Sequence, residues 1–276
     1  MLCPNCDIPL TYHADGHKAI CHTCGYRQSP PNQCPTCKNP DVIYKSIGTK
    51  ALTEMLTKLF PGSIIKRFDS DNLAGERLND VYNELLSGKV DILIGTQLLA
   101  KGLDLPRLGI VGIIAAETSL VLPDFTAEER TFQLLYQVIG RVGRGHGSAR
   151  VIIQAYEPNS PLLQAAIKRD YHSFYRQTLA ERQKYRFPPY SYLAKLVCRR
   201  KTQKGAQSAA TDLKALLISK KLPVEVIGPA PSFYEKRGGY YCWQLVIKSK
   251  QRSHLVALSK LVPAGWSIDF DPADLL

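Results

Sequence analysis

Six of the eight cysteines fall in three C-x2-C pairs within the first 37 residues: Cys3/Cys6, Cys21/Cys24 and Cys34/Cys37. A C-x2-C turn presents two thiolates to one side of a cation, and two such turns complete a tetrahedron of soft ligands, the donor set that suits Zn2+. Disulfides and a redox pair are the rival uses. The opening MLCPNC lacks the basic-then-apolar layout of a signal peptide, so the expected location is the cytoplasm, where disulfides are rare. Three clustered pairs outside a thioredoxin-like setting argue against redox chemistry. Six thiolates do not fill two tetrahedral sites. If Cys3, Cys6, Cys21 and Cys24 form one site, Cys34 and Cys37 hold half of another. His13 and His17 have the H-x3-H spacing that could complete it, although solvated turn residues are the simpler reading of both. His22, squeezed inside a C-x2-C turn, is not expected to be a ligand. Cys198 and Cys242 stand singly in expected strands, where apolar packing is the expected role.

Two further segments carry chemistry. Gly95–Pro106 reads GTQLLAKGLDLP and follows an apolar run, and Gln137–Arg144 reads QVIGRVGR at the end of a helical pattern. Arg141 and Arg144, three apart and flanked by glycine, suit phosphate oxygens: guanidinium forks match their geometry and glycine lets the backbone approach. Either motif alone is only moderately specific; the pair, on opposite sides of the run IVGIIA, is highly specific.

Those segments resemble motifs V and VI of superfamily-two helicases. The array CPNCDIPLTYH…CHTCGY…CPTC, the stretch PDFTAEERTFQLLYQ (Pro123–Gln137) and GPAPSFYEKRGGYYCWQ (Gly228–Gln244) together resemble the PriA family of replication-restart helicases, through essentially the whole chain. Departures are small: Ile139 and Val142 stand where that family usually has Ala, and Glu117 where it usually has Asp. The resemblance implies an ATP-dependent 3′-to-5′ DNA helicase. It would recognise branched DNA at stalled forks and reload the replicative helicase through other primosome proteins. It implies that Thr96, Gln97 and Lys101 contact the DNA backbone and that Gly102 and Asp104 contact nucleotide. Gln137 and the arginine fingers Arg141 and Arg144 would serve catalysis, with ATP and Mg2+ held between two RecA-like lobes. A phosphate loop G-x4-G-K-[ST] is absent from the sequence. The family also carries a further upstream C-x2-C that pairs with the last one. Both facts imply the C-terminal part of a longer helicase, in which this chain alone neither hydrolyses ATP nor unwinds DNA. A stand-alone zinc-containing nucleic-acid-binding protein without motor activity is the alternative.

The elements that must position these residues follow from periodicity. Thr49 could cap a helix whose apolar positions Leu52, Met55, Leu56 and Leu59 keep the helical period until Pro61-Gly62. A strand is expected at Ile64–Phe68 and a helix through Leu78, Val81, Tyr82 and Leu85. Val90–Ile94 and Ile110–Ala115 are continuous apolar runs, as in strands covered on both faces. Ala127–Val142 reads as a helix and Arg150–Ala155 as another buried strand, and the alternation predicts a parallel α/β sheet. Residues 158–190 read as helical. After Pro188-Pro189 the order is βαββαβ, with Tyr192–Arg199, Val224–Gly228, Tyr240–Lys248 and Trp266–Phe270 as strands.

The fold class is therefore α/β: a RecA-like helicase second lobe with an N-terminal cysteine-rich zinc module and a C-terminal βαββαβ (ferredoxin-like) domain. The expected divisions are 1–45, 46–157, a helical connector at 158–193, and 194–276. The 276 residues carry 36 Lys and Arg against 24 Asp and Glu, a net charge of +12. Residues 158–193 contribute +4 and residues 194–276 contribute +8, the footprint of a polyanion binder. In the C-terminal segment, Lys236 and Arg237 are candidate contacts to single-stranded or branched DNA, with Tyr234 beside them in an expected loop. Tyr241, Trp243, Leu245 and Ile247 are expected to form one inward strand face. No apolar run approaches the length of a membrane span.

Overall fold

The computed structural model describes residues 1–5, 9–13, 17–34, 37–40, 48–68, 78–96, 108–141 and 150–276. The cysteine-rich segment forms a small antiparallel sheet of β1 (Thr11–His13), β2 (Lys18–Ile20) and β3 (Arg27–Gln28). Next come α1 (Thr49–Leu59), β4 (Ile65–Phe68), α2 (Leu78–Leu86), β5 (Ile92–Gly95), β6 (Ile110–Ile113), α3 (Ala127–Arg141), β7 (Arg150–Ile153) and α4 (Pro161–Lys168). The remainder is α5 (Tyr171–Lys184), β8 (Tyr192–Arg200), α6 (Gln203–Ser219), β9 (Glu225–Arg237), β10 (Tyr240–Ser249), α7 (Arg252–Ser259) and β11 (Trp266–Phe270). Two compact units result. One comprises Met1–Ile43, Ser119–Glu129 and His172–Leu276; the other comprises Tyr44–Thr118 and Arg130–Tyr171.

In the second of these units the strands pair in parallel, β4 with β5 and β6 with β7. Cover on both faces is not observed for β6 and β7. Their residues alternate between exposed and half-buried, with Ile110 64% and Ile152 59% exposed. A two-stranded pair has only the cover that neighbouring helices provide, and one face here has none among the described residues. Thr49 is the first helical residue rather than the cap; Gly48 occupies the cap position without a side-chain bond. The segment read as helical holds two helices, because Arg169 adopts a left-handed conformation at φ +56° and closes α4. The Ser160 hydroxyl caps α4 by accepting from the Leu163 N–H, with Pro161 at its first turn.

The C-terminal sheet has the order β11-β8-β10-β9 and is antiparallel throughout. With α6 and α7 as crossovers this is the expected ferredoxin-like arrangement. Ala194, Leu196, Leu245 and Ile247 pack on Leu213 and Leu217 of α6 and Leu255 and Leu258 of α7. The inward face of β10 that the pattern predicts is therefore real. The opposite face is buried as well: Leu193 and Val246 pack against Cys3, Leu10, Ala19, Cys21, Phe187 and Leu275. The cysteine-rich segment, too short to own a core, takes its cover from this sheet and gives cover in return. Strand β9 runs on to Arg237, well past the expected Gly228, and only Gly238-Gly239 form the turn into β10. Both glycines have positive φ, +58° and +83°, as a tight hairpin turn demands. Among the described residues, no helix is long and apolar enough to cross a membrane.

Leu245 is fully buried between strand and helices. Leu245→Ala should lower the unfolding free energy by about 2–5 kcal/mol, read from urea denaturation; a loss below about 1 kcal/mol would mean that this face is not the core.

Candidate metal centre and nucleic-acid interface

The sulfurs of Cys3, Cys21 and Cys24 all lie within 4.8 Å of one another, with Cys3 Sγ and Cys24 Sγ 3.4 Å apart. Tetrahedral Zn–S bonds of about 2.3 Å place sulfurs about 3.8 Å apart. Cys3 and Cys21 are buried, Cys24 is half-buried, and none of the three is in a disulfide. Convergent buried sulfurs that form no disulfide are the donor set of a structural zinc site, so the residues fit the ion. Cys3, Cys21 and Cys24 would hold it, and the bound metal would cross-link the first turn to the second. Cys6, the expected fourth ligand, lies outside the described residues.

Backbone hydrogen bonds close the turns that carry these cysteines. The Cys21 N–H donates to the Tyr26 carbonyl and the Gly25 N–H donates to the Cys21 carbonyl. Cys34 repeats this pattern: its N–H donates to the Asn39 carbonyl, and the Lys38 N–H donates to the Cys34 carbonyl. Gly25 and Lys38 occupy equivalent places, both with positive φ. Cys34 and Cys37 thus sit in a turn of the same construction, yet join no cluster of ligands among the described residues. His17 Nδ1 meets the Tyr12 hydroxyl at 3.2 Å and its Nε2 meets Asn32 Oδ1 at 3.4 Å. It is exposed and serves as a polar turn residue. The His13 side chain is outside the described residues.

His22 is buried, and its Nδ1–H donates to the Pro231 carbonyl at 2.9 Å. The Gln244 amide, also fully buried, donates to the His22 carbonyl at 2.6 Å. A Cβ on Gly25 would stand 2.6 Å from the Pro229 carbonyl oxygen, so only glycine allows this approach as well as its φ of +83°. The C-x2-C turn is therefore docked on β9 and β10. Sequence reasoning missed this role for His22, since nothing near position 22 signals a partner 209 residues away.

For the helicase-like motifs, Thr96 is exposed directly after β5, at the strand end where open α/β sheets bind ligands. Gln97, Lys101, Gly102, Asp104 and Arg144 lie outside the described residues. Gln137 is exposed on α3, and Arg141 is that helix's last residue. In the C-terminal domain Lys236 and Arg237 are exposed at the end of β9, not in a loop as expected, because the pairing of β9 with β10 continues to Arg237↔Tyr240. Lys236 Nζ lies over the Tyr241 ring, 5.3 Å from its centre. Cys198 and Cys242 are buried as expected. Burial pushes the Cys198 thiol pKa up. Burial also pulls the Lys195 ammonium pKa down, against the carboxylates of Asp274, Asp269 and Asp124.

Three family models match the chain. A PriA DNA helicase Cys-rich region (CRR) domain matches residues 3–28, a helicase conserved C-terminal domain matches 36–146, and a primosomal protein N C-terminal domain matches 183–273. A replication restart protein PriA from Bacillus subtilis is 39% identical over 94% of this chain and 32% of its own length. Its namesake from Treponema pallidum is 38% identical over 100% of this chain and 43% of its own length. That from a Synechocystis strain is 37% identical over 98% and 34%. The chain thus spans about a third to two fifths of the length of these curated relatives.

Metal analysis should find one firmly held zinc per chain, lost in Cys21→Ser; two tightly held zincs would mean that Cys34 and Cys37 find further ligands. Timed alkylation followed by mass spectrometry should label exposed Cys37 early and Cys198 late, since burial both shields Cys198 and disfavours its thiolate. Equal rates would contradict the packing.

Proposed function

Since the chain belongs to the PriA family of replication-restart proteins, we propose that it forms the second motor lobe, zinc module and DNA-binding domain of an ATP-dependent 3′-to-5′ DNA helicase. That enzyme acts in the cytoplasm, recognises stalled or branched replication forks and restarts replication by reloading the replicative helicase with other primosome proteins. The observation that carries the reading is the order, in one chain, of converging cysteines, a parallel α/β unit bearing both helicase-like motifs, and a basic ferredoxin-like domain.

In this reading residues 46–157 work as the lobe. Thr96, Gln97 and Lys101 serve contacts to the DNA backbone, with Thr96 directly after β5. Gly102 and Asp104 serve contacts to the nucleotide. Gln137 and Arg141 of α3, together with Arg144, serve the γ-phosphoryl group of ATP, whose Mg2+ and phosphate loop belong to a first lobe. Guanidinium groups there stabilise charge that develops on the transferring phosphoryl, an effect of about 10³–10⁵ in rate. Residues 1–45 hold zinc as a structural cross-link, 158–193 connect, and 194–276 bind DNA through charge that includes Lys236 and Arg237.

The 276-residue chain should show no DNA-stimulated ATPase activity; activity lost on Arg144→Ala would overturn the division of labour proposed here. Its DNA affinity should fall steeply between roughly 50 and 200 mM salt, because each neutralised phosphate releases counterions. Fluorescence anisotropy across that range measures the slope, and a flat response would remove the electrostatic basis of the reading.

A further inference from the structure

The C-terminal sheet carries more of a binding surface than Lys236 and Arg237. Tyr240 pairs with Arg237, and Cys242 pairs with Arg199. Side chains alternate along a strand, so Tyr240, Cys242, Gln244 and Val246 share a face with Arg199 and Arg237. It is the face on which the cysteine-rich module sits, since Val246 packs with Cys3 and Cys21 and Gln244 bonds to His22. Beyond buried Cys242 that cover ends. Tyr240 is 44% exposed, and Arg199 and Arg237 are exposed without an ion pair among the described residues.

A second feature borders this open end. The register of β9 slips between Pro231, opposite Trp243, and Lys236, opposite Tyr241. The extra residues of this bulge include Phe233 and Tyr234. Phe233 meets the His22 ring edge-on at 5.9 Å, and Tyr234 meets Phe233 edge-on at 5.1 Å. A chain of aromatic contacts thus runs from the metal-binding turn to Tyr234, which is 62% exposed. Bulges re-aim side chains, and this one is braced from behind by His22, itself held by the Pro231 carbonyl.

We propose that this patch is a single-stranded DNA site. Tyr240 and Tyr234 stack unpaired bases, Arg199 and Arg237 hold the phosphates between them, and His22 is a positioning residue that sets the bulge from the zinc-binding turn. Exposed aromatics beside unpaired cations are the two components of single-strand recognition: ring faces for bases of any sequence, guanidinium groups for the backbone. Exposed tyrosines occur elsewhere in the chain; what sets Tyr234 apart is its presentation from a bulge braced by Phe233 and His22. The proposal rests on the reading that residues 194–276 bind DNA, and it adds the site and the zinc module's part in it.

The test uses the whole chain and an oligothymidylate of about 16 nucleotides carrying one 2-aminopurine, with anisotropy for affinity and 2-aminopurine quenching for stacking. Tyr234→Ala with Tyr240→Ala should abolish the quenching and weaken binding about tenfold or more, while Tyr→Phe at both positions retains both. Arg199→Ala and Arg237→Ala should each lower the salt slope by about 0.7, the single-strand value per phosphate contact. His22→Leu should lose the quenching at unchanged zinc content, and His22→Asn, which can still donate to the Pro231 carbonyl, should restore it. A wild-type chain that does not bind the oligonucleotide overturns the DNA-binding reading and this proposal together. Binding that is normal in the tyrosine and arginine variants overturns this proposal alone. A His22→Leu variant that melts earlier yet quenches normally removes His22 from it.

Discussion

The docking of the Cys21–Gly25 turn on β9 and β10 is the constraint on which the surrounding unit depends. Three contacts define it: the His22 imidazole to the Pro231 carbonyl, the Gln244 amide to the His22 carbonyl, and the close approach of Gly25 to Pro229. Pairing these buried nitrogens matters, because an orphaned donor or acceptor costs about 1–3 kcal/mol. The geometry is therefore narrow. The turn must sit at one register on the sheet, and a side chain at position 25 would push it away.

From that constraint the two-sided burial of the C-terminal sheet follows. Helices α6 and α7 cover one face and the cysteine-rich module covers the other. A segment of a few dozen residues with little apolar content obtains a core by sharing one, and its thiols converge because the shared core holds Cys3 beside Cys21. A bound metal would reinforce the sheet packing, since a structural zinc contributes to folding free energy outright. The turn at Cys34 has the same backbone hydrogen bonds, yet among the described residues Cys34 and Cys37 belong neither to that shared core nor to a cluster of ligands.

The other unit is built differently. Its strands pair in parallel, the geometry that directs chain ends toward one edge of a sheet. Thr96 emerges at the end of β5 and Arg141 closes α3, so regular elements lead directly into both helicase-like motifs. Ile110 and Ile152 remain in water because alternation in β6 and β7 leaves one side without a packing partner. Continuous apolar sequence describes what a strand can bury, while neighbours decide what it does bury.

Much of this was legible in the residues themselves. Cysteine spacing announced the converging thiols because a C-x2-C turn is a local structure. The period of Leu52, Met55, Leu56 and Leu59 announced α1, and the βαββαβ order announced the C-terminal topology, because each is read within a short window. The extent of β9, the bulge that exposes Tyr234, and the placing of Arg237 opposite Tyr240 were decided by strand pairing. The role of His22 was decided by a partner 209 residues away, and the burial of Gln244 by one 222 residues away. Local sequence determines which elements form and which faces are apolar, since those depend on backbone sterics and side-chain period. Which face meets which depends on complementary surfaces brought together by the whole chain, and only the tertiary structure carries that information.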